Sequence, residues 1–165
     1  MARIYEWKNI YSNKDFRKEA LPWFWENYDP NAMSLWFADY KFQDELSVTF
    51  KVCNLIGGFN QRVDGKILQG SFGNWLILGS EPKLAVHGAF LFRGLDIPEG
   101  FKENPDFTAY TWTRVNLDDP EQRTWLQDLW GWECEDRKFV LPKVLGGDGT
   151  PFDCTADTVN GNTLK

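Results

Sequence analysis

Cysteine, histidine, basic clusters and long apolar runs are all scarce in this chain. Three cysteines, Cys53, Cys134 and Cys154, form no close pair, and no Asn-X-Ser/Thr sequon occurs. An odd, scattered set of thiols without a sequon favours a reducing, cytoplasmic compartment over secretion. One histidine, His87, and no clustered cysteine leave no zinc motif, so neither a metal nor a cofactor is expected. No apolar run approaches the roughly 20 residues of a membrane span. Met1-Ala2-Arg3 runs straight into Ile4-Tyr5-Glu6-Trp7 without the apolar core of a signal peptide. Lys and Arg number 18 against 24 Asp and Glu, a net charge of -6, and the sequence pI is near 4.8. A duplex-binding domain shows a basic stripe, and none is visible, so direct nucleic-acid binding and membrane binding are not expected.

What the chain has in abundance is aromatic surface. Nine Trp and thirteen Phe in 165 residues supply a core without help from disulfides or metal, since each buried ring removes about 150–250 Å² from water. The length fits one domain. Its densest aromatic blocks are Ala-Leu-Pro-Trp-Phe-Trp-Glu (20–26) and Ser-Leu-Trp-Phe-Ala-Asp-Tyr (34–40). Cys-Asn-Leu-Ile-Gly-Gly-Phe-Asn-Gln-Arg (53–62) follows them.

Local signals predict the elements. Ser12 or Asn13 reads as an N-cap, and Pro22 as a break or a second helix start. Alternation predicts a strand over 33–42, with Trp36, Tyr40 and Phe42 on one face and Leu35, Phe37 and Asp39 on the other. Residues 44–63 read as a mostly buried helix. Leu46, Phe50, Cys53 and Gly57 form its stripe, widened by Val52, Ile56, Phe59 and Val63. Strands are predicted near 71–79, 84–93 and 107–115. The long connector 94–106 is either lid-like or simply variable. Asp118-Asp119-Pro120-Glu121 opens a helix to about Trp130. This order predicts an α+β fold, a single domain with an antiparallel β-sheet packed against helices. The domain is expected over 1–146, with 147–165 a flexible tail rich in Gly, Asp, Thr and Asn.

Chemistry is thin. Cys53 and His87 offer a conceivable thiol–imidazole pair, but Cys53 sits on the apolar stripe, where a thiol is ordinarily an inert small hydrophobe. Asp118-Asp119, Asp44-Glu45 and Glu133 with Glu135-Asp136 are carboxylate neighbours of the kind found at helix starts and on solvated surfaces. Gly57-Gly58 and Gly146-Gly147-Asp148-Gly149 lack the Gly-Lys-Ser/Thr of a phosphate loop. Trp23, Trp25, Trp36, Trp125, Trp130 and Trp132 lie in core-like contexts. Trp75 and Trp112, if exposed on their strands, offer an alternative reading as a carbohydrate-binding module.

Several segments together resemble one family. They are Tyr11-Ser12-Asn13, Ala20-Leu21-Pro22 with Phe24-Trp25-Glu26, Ser34-Leu35-Trp36, Tyr40, Glu45-Leu46, Thr49-Phe50, Asn54-Leu55-Ile56, Gly58 and Arg62. Phe92-Arg93-Gly94 and Tyr110-Thr111-Trp112 extend the set. The pattern, over residues 4–133, resembles the C-terminal domain of eukaryotic translation elongation factor 1-gamma. The resemblance implies an α+β domain of a non-catalytic subunit in the complex that recharges the aminoacyl-tRNA-delivering GTPase, elongation factor 1-alpha. In that family the exchange chemistry belongs to the beta and delta subunits. Contact with them belongs mainly to a glutathione-transferase-like N-terminal domain. That domain is not in this sequence, which therefore reads as a C-terminal fragment. The family has no catalytic residues to carry over, and the segment from Phe139 to Lys165 departs from its pattern.

A protein-interaction or scaffolding role follows from the resemblance, with a monomeric domain binding protein partners, either other elongation factor 1 subunits or translation factors. Ser47, Lys51, Asn54, Gly58 and Gln61 recur at helical spacing and Arg62 adjoins them. Such a strip serves solvation, hydrogen bonds to a loop, or an interface. The resemblance at Asn54 and Arg62 favours the interface. Asn54, Gln61 and Arg62, with Arg93 as a neighbour, are the expected partner-binding residues.

Overall fold

The computed structural model describes residues 2–63, 67, 70–80, 82–131 and 139–145. The helices are α1 (Ala2–Asn13), α2 (Leu21–Asn27), α3 (Thr49–Gln61), α4 (Glu99–Lys102) and α5 (Pro120–Gly131). The strands are β1 (Met33–Tyr40), β2 (Ser71–Ser80), β3 (Lys83–Arg93), β4 (Tyr110–Arg114) and β5 (Phe139–Leu145). Every neighbouring pair in the sheet is antiparallel, in the order β4-β1-β3-β2-β5. The fold is α+β, as the element order predicts. The expected tail, 147–165, lies outside the described residues.

The strands carry apolar residues on both faces because both faces are covered. Side chains alternate along a strand, so β2 sends Trp75 and Ile77 one way and Phe72, Leu76 and Leu78 the other. In β3, Leu84, Val86, Phe90 and Phe92 oppose Ala89 and Leu91 in the same manner. On the first face lie Val52, Ile56 and Phe59 of α3 with Phe101 of α4. On the second lie Ile4 and Trp7 of α1, Phe24 of α2, and Leu126, Leu129 and Trp130 of α5. The molecule therefore has a core on each side of one sheet.

Two glycines let the sheet hold its largest rings. Gly73 pairs with Phe90 and Gly88 with Trp75 across β2 and β3. A Cβ on Gly73 would stand 2.2 Å from Phe90 Cδ1 and 2.5 Å from the Ala89 carbonyl oxygen. One on Gly88 would stand 2.8 Å from both Phe90 Cε2 and Trp75 Cε3. Each ring thus lies on bare backbone of the opposite strand, and the two rings meet edge-to-face at 4.8 Å with 66° between their planes.

Several local expectations need correction. Ser12 and Asn13 close α1 rather than open a helix. The cap is Asp15, whose carboxylate accepts from the Lys18 N–H at 2.9 Å and starts a π-helical turn, Phe16–Ala20. The helix expected over 44–63 is shorter. A 3-10 turn (Gln43–Glu45) comes first, and the Leu46 carbonyl then accepts from Leu84 N–H of β3, which pins the chain to the sheet before α3 starts. The buried stripe of α3 is Val52, Ile56 and Phe59, continued by Val63, whereas Phe50 is 63% exposed. Its inner face is thus rotated away from the Phe50–Gly57 line.

The connector 94–106 packs against the core through α4. Phe101 of α4 is buried 4.7 Å from the Phe92 ring and 5.7 Å from Phe59. Asn104, also buried, donates to the Phe59 carbonyl at 3.0 Å and so caps the end of α3.

The glycine contacts yield a paired test by denaturant unfolding. Gly73→Ala overpacks against backbone and should lower stability by about 1–3 kcal/mol or more. Gly58→Ala, whose nearest neighbour would be the Arg62 guanidinium at an ordinary contact distance of 3.6 Å, should gain about 0.5–1 kcal/mol of helix propensity. Equal effects at the two sites would contradict the close approach of β2 and β3.

Candidate interaction surface

With Val52, Ile56 and Phe59 turned inward, α3 presents the opposite side to solvent. Lys51, Asn54 and Arg62 are exposed and Gly58 is half-buried between them, spacings of three and four residues that define one helical face. Phe50, one turn before Asn54, adds an exposed ring to this face. Arg62, just past the last residue of α3, lays its guanidinium along Gly58 and pairs with Asp106 of the α4–β4 connector. Asn104 and the Arg62–Asp106 pair therefore tie the connector to the end of α3 from two sides. The strip thus presents an aromatic ring, an amide, an ammonium and a guanidinium with its carboxylate.

The structure brings together only part of the expected partner-binding set. Asn54 and Arg62 share the exposed face, and Gln61 ends the same helix with its side chain outside the described residues. Arg93 is elsewhere. It ends β3 opposite Met33, and its odd position directs it toward the α1 side of the sheet. Its guanidinium covers Gly70, and its charge reaches Lys8 of α1. Phe50 and Asp106 were the surface residues that spacing alone did not single out. Centring the apolar stripe on Val52, Ile56 and Phe59 would have found Phe50, but Asp106 carries no local signal.

The alternative chemistries separate on geometry. His87 sits on the α5 side of β3, its Nδ1 2.6 Å from Asp39 Oδ1 and its ring edge-on to Trp125. Cys53 belongs to α3, on the other side of the sheet, so the fold does not bring the two positions together. The carbohydrate platform is overturned as well. Trp75 is 0% exposed, seated between Gly88, Phe90 and Tyr110. Trp112 is half-buried, stacks on Phe107 at 5.0 Å and donates its indole N–H to the Phe107 carbonyl. Among the described residues, no group of three or more His, Cys, Asp or Glu is placed to hold a metal ion. None of the described helices is long and apolar enough to cross a membrane.

Lys8, Tyr11 and Tyr110 give the fold a pH signature. Burial first, and the nearby Arg93 charge second, lower the Lys8 pKa from 10.5 to about 8. Burial raises the phenol pKa values of Tyr11 and Tyr110 above the usual 10.0. Where Lys8 is neutral in the native state but still protonated in the unfolded chain, the unfolded state binds more protons and stability rises with pH. Above the ordinary tyrosine range the native state holds the extra protons, and stability falls. Unfolding midpoints should therefore climb from about pH 8 to about pH 10 and then drop. Lys8→Met should remove the climb and leave the drop. A flat profile below pH 10 in the wild-type chain would contradict the burial of Lys8.

Comparison with known proteins shows the family. A family model described as "Elongation factor 1 gamma, conserved domain" matches residues 1–96. The chain is 46% identical over 121 residues to elongation factor 1-gamma 3 of Oryza sativa, covering 72% of the chain and 29% of that protein. It is 37% identical over 144 residues to elongation factor 1-gamma of Schizosaccharomyces pombe, covering 86% and 35%. To elongation factor 1-gamma 1 of Saccharomyces cerevisiae it is 36% identical over 160 residues, covering 97% and 35%. That last similarity runs well beyond residue 133, so the departure expected from Phe139 onward does not hold for every relative. The chain spans about a third of the length of these relatives. On the family match over residues 1–96, together with these identities, this chain belongs to the elongation factor 1-gamma conserved-domain family.

Proposed function

We propose that this chain is a non-catalytic protein-interaction domain that supports translation elongation within the elongation factor 1 complex. In this reading it docks other subunits or translation factors through the outward face of α3. The supporting observation is the division of labour on that helix. Its inner stripe is locked into the core, while Asn54, Arg62 and the exposed Phe50 face solvent on a helix whose end is held by Asn104. A stiff element offering an aromatic ring and an arginine has the composition of an interface centre. Arg93, facing α1, contributes to this surface only if a partner wraps around the edge of the sheet.

Stability and binding separate the interface from a merely structural strip. Arg62 is 53% exposed in its ion pair with Asp106, and exposed pairs contribute about 0–1 kcal/mol. Asn54→Ala with Arg62→Ala should leave the unfolding midpoint nearly unchanged. The same double variant should weaken binding to purified elongation factor 1 subunits by about tenfold or more in calorimetric titrations. Loss of stability with unchanged binding would sink the interface, as would absence of binding by the wild-type chain.

The reading also implies that the chain does no exchange chemistry of its own. Stopped-flow release of a fluorescent guanine nucleotide from elongation factor 1-alpha should proceed at its spontaneous rate when this chain alone is added. Acceleration would overturn the non-catalytic assignment.

A further inference from the structure

On the opposite side of the sheet from α3, α5 carries a shallow open trough of about 340 Å³ lined by Pro120, Glu121, Thr124, Trp125 and Asp128. Leu126, Leu129 and Trp130 anchor the inner side of the helix. Two bonds fix its rotation: Trp130 Nε1–H donates to the Ala89 carbonyl and Asn74 Nδ2–H to the Leu129 carbonyl. Glu121, Trp125 and Asp128 then fall at spacings of four and three on the outer side. The half-buried indole of Trp125 forms the wall, held edge-on by the His87 ring at 5.8 Å, and a carboxylate stands at either end.

The charge around the trough is unbalanced in one direction. Asp128 shares Arg17 at 2.9 Å. Glu121 has no cationic partner within 4.0 Å among the described residues. Asp119, beside it, is occupied in capping the helix, accepting from the Glu121 backbone N–H at 2.9 Å. Arg123, the one basic residue of α5, turns away and lies 4.0 Å over the ring of Trp25. That internal contact shows the same pairing of guanidinium and indole on the other flank of the helix.

We propose that this trough is a docking site for a basic peptide segment of a partner protein, with a lysine or arginine side chain laid on Trp125 between Glu121 and Asp128. An aromatic face attracts a cation, and flanking carboxylates strengthen the attraction. The same carboxylates repel nucleic acid and acidic peptides. A second copy of this chain, with its net charge of -6 and identical carboxylates at the trough, fits poorly for the same reason. The site is independent of the α3 surface, because the sheet stands between them, and it stands or falls separately from the proposed function.

The test is an NMR titration of the isotope-labelled full chain with two synthetic peptides, a Lys-Ala-Lys-Ala-Lys amide and its Glu-Ala-Glu-Ala-Glu counterpart. The basic peptide should shift the Trp125 indole N–H and the amides from Glu121 to Asp128 together, to saturation, with weakening in raised salt. The acidic peptide should shift none of them. Glu121→Gln should weaken the basic peptide roughly threefold, and Glu121→Lys should abolish its effect at the trough. Both variants sit on the exposed first turn of α5, where loss or reversal of the helix-dipole contact costs only about 0.3–1 kcal/mol, and both should fold as the wild-type chain does. Three outcomes would each overturn the proposal: no saturable shift, shifts spread evenly over the acidic surface, or an affinity unaltered by Glu121→Lys.

Discussion

The approach of two aromatic rings to bare backbone at the centre of the sheet is the constraint on which the rest of the structure depends. Phe90 lies on Gly73 and Trp75 on Gly88, each across a single strand pair. Removing two side chains from the middle of a sheet sacrifices local propensity. It lets β2 and β3 carry an aromatic floor, onto which Phe59 of α3 packs 5.5 Å from Trp75 and Tyr110 of β4 packs at 4.7 Å. Without that floor α3 would have no fixed depth, and its outward face no fixed position.

The two sides of the sheet are held by different physics. The α3 side is largely apolar and aromatic, its principal directed bonds coming from Asn104 and from Gln43, whose side chain bridges the carbonyl of Tyr40 and the N–H of Val86. The α5 side mixes packing with polar links. Trp130 and Asn74 bond across between sheet and helix, and the Tyr11 hydroxyl donates to the Trp130 carbonyl. Buried directional bonds set the rotation of a helix more tightly than apolar contact alone, since an unmade bond there carries its full desolvation cost. Both surfaces offered for binding therefore sit on elements whose inner sides are fixed. Rigid presentation of this kind reduces the ordering cost of association.

Much of the architecture was legible in the chain because it rests on local rules. Alternation located β1, β2 and β3 within a residue or two, and Asp119-Pro120 marked the start of α5. α1 was missed: Ile4, Trp7 and Tyr11 repeat at helical spacing but are outnumbered by polar neighbours. β5 also went unread, in a stretch interrupted by Pro142. Proline is tolerated in a sheet at an edge, and β5 is an edge strand. In the candidate interface, Asn54 and Arg62 followed from spacing plus resemblance. Arg93, which belongs to the resembling segment Phe92-Arg93-Gly94, was expected as a neighbour of the strip, and the β1–β3 register sends it to the other side.

By itself, the sequence determined the fold class, the aromatic character of the core, the absence of clustered thiols and the family. These follow from composition, periodicity and the order of uncommon residues, none of which needs a distant partner. Only the tertiary structure decided which stripe of α3 faces inward, that Trp75 is core rather than platform, and that His87 and Cys53 lie on opposite sides of the sheet. A helix with apolar residues at 50, 52, 55, 56 and 59 has more than one admissible inner face. A strand with large residues at alternate positions does not announce which side will be covered. Such choices are made by contacts between residues far apart in the chain, where burial of one face excludes burial of the other.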